Sequence, residues 1–160
     1  MILLAVVCLG WYLACVHANR LELTQNGKPY LTRWHLWRWG FKVFVHRIHS
    51  KDHDRDPHNH PWPWAVSLIL LGWYDELRCT SRHGGLCGIC STVPTEAQKH
   101  MAWTFSRVRW LNFIGPNTYH RILEVAPRTW TLFLAGPRSR TWGFWTEQGH
   151  VPYSGPALND

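Results

Sequence analysis

Charge is what this 160-residue chain has least of: Asp, Glu, Lys and Arg together make up 17% of it, and only ten residues are acidic. With 46% hydrophobic residues beside so little charge, a disordered chain and a charged coiled coil are excluded. Twelve glycines and ten prolines, without a period, exclude a collagen. After residue 20 there is no long apolar stripe of period 3.6, no internal repeat and no low-complexity linker. A recognised nucleic-acid-binding motif is missing too, so nucleic acid is not expected as a partner.

What is abundant is aromatic and imidazole: 12 Trp and 11 His. Such a Trp count suits a β-rich core or an aromatic-lined cavity, and such a His count raises metal or proton chemistry. The formal net charge of +7 suits an anionic partner without choosing one. The length favours one domain, which can bury roughly 70% of its unfolded surface without help from disulfides or metal.

Residues 2–18 contain no acid, Lys or Arg. They read as a short membrane anchor, as a signal peptide with Val16 and Ala18 before the cut, or as a buried terminal element. Arg20, Lys28, Arg33 and Arg38 follow the run, which for an anchor keeps the main domain in the cytoplasm. The expected organisation is this segment, a β domain over 19–153 and a tail over 154–160. From Tyr30 onward the runs 31–39, 41–49, 64–77, 102–114, 119–126, 128–136 and 141–149 alternate with turn residues and are predicted strands. Strands without intervening helices predict an antiparallel sandwich or barrel.

The densest chemistry lies in residues 46–64, with five His and three Asp in HRIHSKDHDRDPHNHPWPW. On an extended segment His58 and His60 project from one face, and Pro57 and Pro61 hold that segment away from helix. Two imidazoles then point at one ion, and His120, after the Gly115-Pro116-Asn117 turn, is the candidate third ligand. Asp56 shares the parity of the pair and is the candidate fourth, ahead of Asp54 and Glu124. Elsewhere, Cys79, His83, Cys87 and Cys90 have the ligand types of a structural zinc site; a disulfide and free thiols are the alternatives. Arg107 and Arg109 form a basic strand face that suits a carboxylate or phosphate. Trp62 and Trp64 share the parity of the His pair, and Tyr119 precedes His120, so all three are candidates for substrate contact.

These features resemble the cupin superfamily. Its first motif is HxH, a short spacer, a Glu and a later Gly. Here His58-Asn59-His60 and PWPW are followed by Ala65 at the Glu position and by Gly72. Its second motif is a Pro/Gly turn before a His, matched loosely by Gly115 to His120. The chain also looks like uncharacterised bacterial and phage cupin-like proteins, which carry HRIH, an acidic stretch, HxHPW and a late WGFW. The corresponding residues are His46 to His49, Asp52 to Asp56, His58 to Trp62 and Trp142 to Trp145, and the likeness covers roughly residues 30–153.

The resemblance implies an all-β double-stranded β-helix, or jelly-roll barrel. It also implies one divalent metal ion, iron first and zinc, manganese or nickel as alternatives, on His58, His60 and His120. With no Glu at position 65, a non-haem, dioxygenase-like oxidoreductase acting on a small anionic molecule is the leading reading. A sugar-nucleotide-type isomerase or epimerase, and a non-catalytic binding or virion-associated module, are the others. A homodimer, and a membrane reached through residues 2–18, are the further partner expectations.

Overall fold

The computed structural model describes residues 19–25, 27–52, 56–80, 103–146 and 149–154. These form eleven strands and no helix: β1 (Arg20–Gln25), β2 (Lys28–Trp37), β3 (Lys42–Ile48), β4 (Ala65–Leu71), β5 (Tyr74–Thr80), β6 (Trp103–Val108), β7 (Leu111–Ile114), β8 (Thr118–Val125), β9 (Thr129–Ala135), β10 (Gly143–Thr146) and β11 (Gly149–Pro152). All pairings are antiparallel. One sheet runs β1-β2-β3-β9-β4-β7; the facing strands are β6-β5-β8 and β10-β11. His58 joins these last two groups, bridging to His120 of β8 on one side and to Phe144 of β10 on the other.

From β3 onward the chain repeatedly crosses between the layers. It goes from β3 to the His58 segment, back to β4, over to β5 and β6, back to β7, over to β8, back to β9 and over to β10. That winding is a double-stranded β-helix, the cupin-type jelly roll. Two runs read as single strands are each two. Residues 64–77 break at Gly72, where φ is +80° and a Cβ would run into Thr129. Residues 102–114 break at Arg109-Trp110. Each break is a crossover between sheets, where apolar composition continues but the hydrogen-bonding partner changes.

Two buried clusters fill the space between the sheets: Leu31, Ile48, Ile69, Tyr74, Val108 and Ile122 at one end, and Phe44, Trp62, Ala65, Ile114, Phe133 and Ala135 at the other. A fully buried side chain such as Phe44 contributes about 1.5–3 kcal/mol. Between them the interior is polar. The β2, β3 and β9 register aligns Arg33, His46 and Thr131 across the inner face of the large sheet. Its outer face is apolar over two rows: Val45, Leu132, Leu68 and Leu111 form one, and Val43, Leu134, Val66 and Phe113 the next.

Among the described residues no helix is long and apolar enough to cross a membrane. Residues 2–18, with the anchor, signal and buried-element readings, lie outside the described residues, as do His83, Cys87 and Cys90 of the zinc reading. Cys79, the described member of that group, is buried on β5.

Candidate metal centre

The two prolines leave the His58 segment extended but short, so it pairs through one residue. His58 N–H donates to the His120 carbonyl and His120 N–H to the His58 carbonyl, each at 2.9 Å. On the other side Asn59 N–H donates to the Gly143 carbonyl at 3.1 Å, and Gly143 N–H donates back to Asn59 Oδ1 at 2.9 Å. Gly143 is needed there, because a Cβ would meet the Val151 carbonyl oxygen and the His150 ring. The WGFW stretch thus has a physical role: its glycine lets β10 and β11 close up, and Trp142 and Phe144 both sit 6.2 Å, centroid to centroid, from the His58 ring.

With the backbone pinned on both sides, the i, i+2 rule directs His58 and His60 to the interior beside His120. Ring centroids are 5.3 Å apart for His58–His60, 4.8 Å for His58–His120 and 4.9 Å for His60–His120. One nitrogen from each ring lies within 4.8 Å of the others. His60 Nε2 and His120 Nε2 are 2.7 Å apart, and Trp62 stacks on His60 at 15°.

Glu76 on β5 completes the arrangement. Its Oε1 accepts from His120 Nδ1 at 2.5 Å and from Asn112 Nδ2 at 3.1 Å, while Oε2 lies 3.1 Å from Arg78 Nη2. Burial opposes ionisation of this carboxyl, but the bond and charge of His120, then Arg78 and Asn112, outweigh it and hold the pKa below the ordinary value. An ionised Glu76 accepts only, so His120 Nδ1 is the donor in this bond. Burial, then the charges of His120, His58, Arg33 and Arg140, hold the His60 pKa well below 6.5, so His60 stays neutral at physiological pH.

These residues fit a metal ion. Nitrogens at about 2.0–2.1 Å around a tetrahedral ion stand roughly 3.3 Å from one another. The near pair at 2.7 Å has to part and the far one, within 4.8 Å, to close, by amounts that ring rotation supplies. A carboxylate on the remote nitrogen of a ligating histidine fixes its tautomer and raises its basicity, and Glu76 does this to His120.

The other candidates fall elsewhere. Asp56 is exposed and outside the group. Nearby Asp52 is buried, with Oδ2 accepting from Ile122 N–H at 2.8 Å. Glu124 is exposed at the end of β8, and Asp54 lies outside the described residues. A cavity of about 80 Å³ adjoins the triad. Trp62 lines it; Arg107, Arg109, Trp64 and Tyr119 do not. Arg107 instead pairs with Asp75 at 2.7 and 2.9 Å and covers the Trp73 ring at 3.8 Å. Arg109 and Trp64 are exposed. Tyr119, one residue from His120, faces the other way and shares a hydrogen bond with His150 Nδ1 at 2.9 Å. The cation in the cavity wall is Arg33, which sequence reasoning passed over together with Glu76. For Glu76 the available signal was its i+2 parity with Tyr74 in a strand flanked by turn residues.

No protein-family model matches the chain, and no curated protein matches it. Among solved structures it is similar to hydroxypropylphosphonic acid epoxidase from S. wedmorenis, at 10% identity and a TM-score of 0.45, covering 75% of this chain and 56% of that one. It is also similar to a recombinant oxalate oxidase in complex with glycolate, at 12% identity and a TM-score of 0.49, covering 77% and 59%. A further oxalate oxidase structure matches at 11% and 0.49, covering 82% and 66%. The chain thus spans a little over half to about two thirds of the chains it is similar to.

Proposed function

We propose that this chain is a metal-dependent, cupin-type oxidoreductase that holds one divalent ion on His58, His60 and His120 and acts on a small anionic molecule. The observation that carries the reading is the convergence of three imidazoles with a buried carboxylate on the remote nitrogen of one of them. A purely structural histidine cluster has no need of that polarity. When bound, a redox-active ion on three neutral ligands supplies open coordination positions for dioxygen and substrate together; iron is our first assignment, with zinc, manganese and nickel as competing outcomes. The protein's part is to orient the nitrogens through Glu76 and to line the cavity with Trp62, Phe133, Ile114 and Ile122, which limits water. The cavity of about 80 Å³ has room for a small molecule beside the histidines.

Elemental analysis of protein purified without chelators or a metal-binding tag tests the reading. His58→Ala and His120→Ala should each lose most of the metal and keep the fold. His49→Ala, at an exposed residue bonded to Thr32, should keep both. Equal metal in all four proteins would refute the assignment. Absence of metal from every one would leave the isomerase and the binding or virion-associated module.

A further inference from the structure

We propose that the tip of the β2–β3 hairpin, Leu36 to Phe41, docks on the headgroup interface of a bilayer that carries anionic phospholipid. The tip lies outside the wall of the histidine cavity, so this role is separate from the metal centre.

The tip reads LWRWGF, and all six residues are exposed. Leu36 is 50% exposed, Trp37 49%, Trp39 80% and Phe41 45%. Large apolar side chains exposed singly need no explanation, but four at one turn form a patch that does. Local structure puts them there. The register of β2 against β3 slips between His35 and Trp37, a bulge after which the consecutive residues Leu36 and Trp37 are both half exposed. Beyond it the Trp39 carbonyl accepts from Phe41 N–H and from Trp37 Nε1, each at 2.8 Å. Gly40, at φ +68°, permits that tight turn. The Trp37 and Phe41 rings stack, with centroids 6.3 Å apart and planes at 25°. An indole N–H, a backbone N–H and a carbonyl are thus paired inside the tip, which lowers the cost of moving it into a medium poor in water. Charge selects the medium. Residues 23–51 contain no Asp or Glu and six Lys or Arg, with Arg38 exposed within the tip and Lys42 directly after it. Trp favours the membrane–water interface, and cations next to it are drawn to anionic headgroups. A second copy is the poorer occupant, because two such tips set cation against cation with no acid between them.

The test is co-sedimentation of the full chain with vesicles of phosphatidylcholine alone and of an equal mixture of phosphatidylcholine and phosphatidylserine. The parent should bind the mixed vesicles more tightly, and added salt should remove most of that difference. Trp39→Ser should weaken binding to both about tenfold, the scale of burying one large aromatic side chain. Arg38→Gln should weaken binding to the mixed vesicles about fivefold, as loss of one cation near an anionic surface does, and leave binding to the neutral ones unchanged. Trp110→Ser is the control. Trp110 is 78% exposed but precedes β7, three strands from β3 in the sheet, and its loss should leave binding as it is. Should Trp39→Ser fold poorly, Arg38→Gln carries the test alone. Failure of the parent to bind, equal binding to the two vesicle types, equal binding by parent and tip variants, or an equal loss in Trp110→Ser overturns the proposal. So does self-association that Trp39→Ser abolishes in place of vesicle binding, which gives the tip to a second copy.

Discussion

Replacing Glu76 by Gln removes one charge from a buried network and leaves its shape. In the parent, Oε1 takes the His120 Nδ1 proton at 2.5 Å and Oε2 faces Arg78 at 3.1 Å, with the Glu76 side chain only 1% exposed. A Gln whose oxygen keeps the His120 bond must turn its NH₂ toward Arg78. The charge assistance and the ion pair go together, a loss of about 1.5–3 kcal/mol in the metal-free protein. Arg78 is 21% exposed, and solvent screening there places the result toward the lower end. Metal binding should suffer as well, since removing the carboxylate behind a ligating histidine typically costs about 10–100-fold in affinity. The pH dependence has a definite sign. The Glu76 pKa is lowered in the folded state, so its contribution is present above the unfolded carboxylate value of about 4.3 and is lost as pH falls through the folded one. Urea denaturation of the metal-free proteins at pH 7.5 and pH 4 should show a difference between parent and Glu76→Gln that shrinks at the lower pH. Co²⁺ titration at pH 7.5 supplies the affinity. If Glu76→Gln is destabilised but binds Co²⁺ within twofold of the parent, Glu76 supports the fold alone and the orienting argument is refuted.

Other perturbations reach other parts of the structure. His46 and His60 have folded pKa values well below 6.5, so the unfolded chain binds more protons below that value. The metal-free protein should therefore lose stability as pH falls from about 6.5, and a flat profile from 7.5 to 5.5 by chemical denaturation would contradict the burial of these rings. Gly143→Ala places a Cβ against the Val151 carbonyl oxygen and should cost about 1–3 kcal/mol, as overpacking does; an unchanged urea midpoint would show that β10 and β11 yield easily. The outer face of the large sheet exposes Leu68 at 39%, Leu111 at 63% and Phe113 at 58%, in rows whose β9, β4 and β7 residues carry no charge. A second copy can meet such a face without the like-charge repulsion that a net +7 imposes elsewhere, so we expect a dimer that Leu68→Glu converts to monomer by light scattering. A parent that is monomeric at high concentration would remove that expectation.

Much of this molecule was legible in one dimension. Dense apolar runs between turn residues are enough for antiparallel β layers. The HxH step held between prolines is enough to aim His58 and His60 the same way, because side-chain parity on an extended chain is a local property. His120 was legible through its turn. Glu76 was not: its role depends on the register of β5 against β8, which brings it within reach of a residue 44 positions away. Arg33 was hidden for a deeper reason. In β2 the alternation sets Arg33 and His35 against Trp34 and Leu36, and the usual rule would bury the Trp. Instead Arg33 and His35 are buried, Trp34 is half-buried and stacked on Trp130, and Leu36 is exposed. Period-two patterning separates the two faces of a strand but does not say which is inside. Where the interior is a polar cavity, only the closing of the second sheet over it decides.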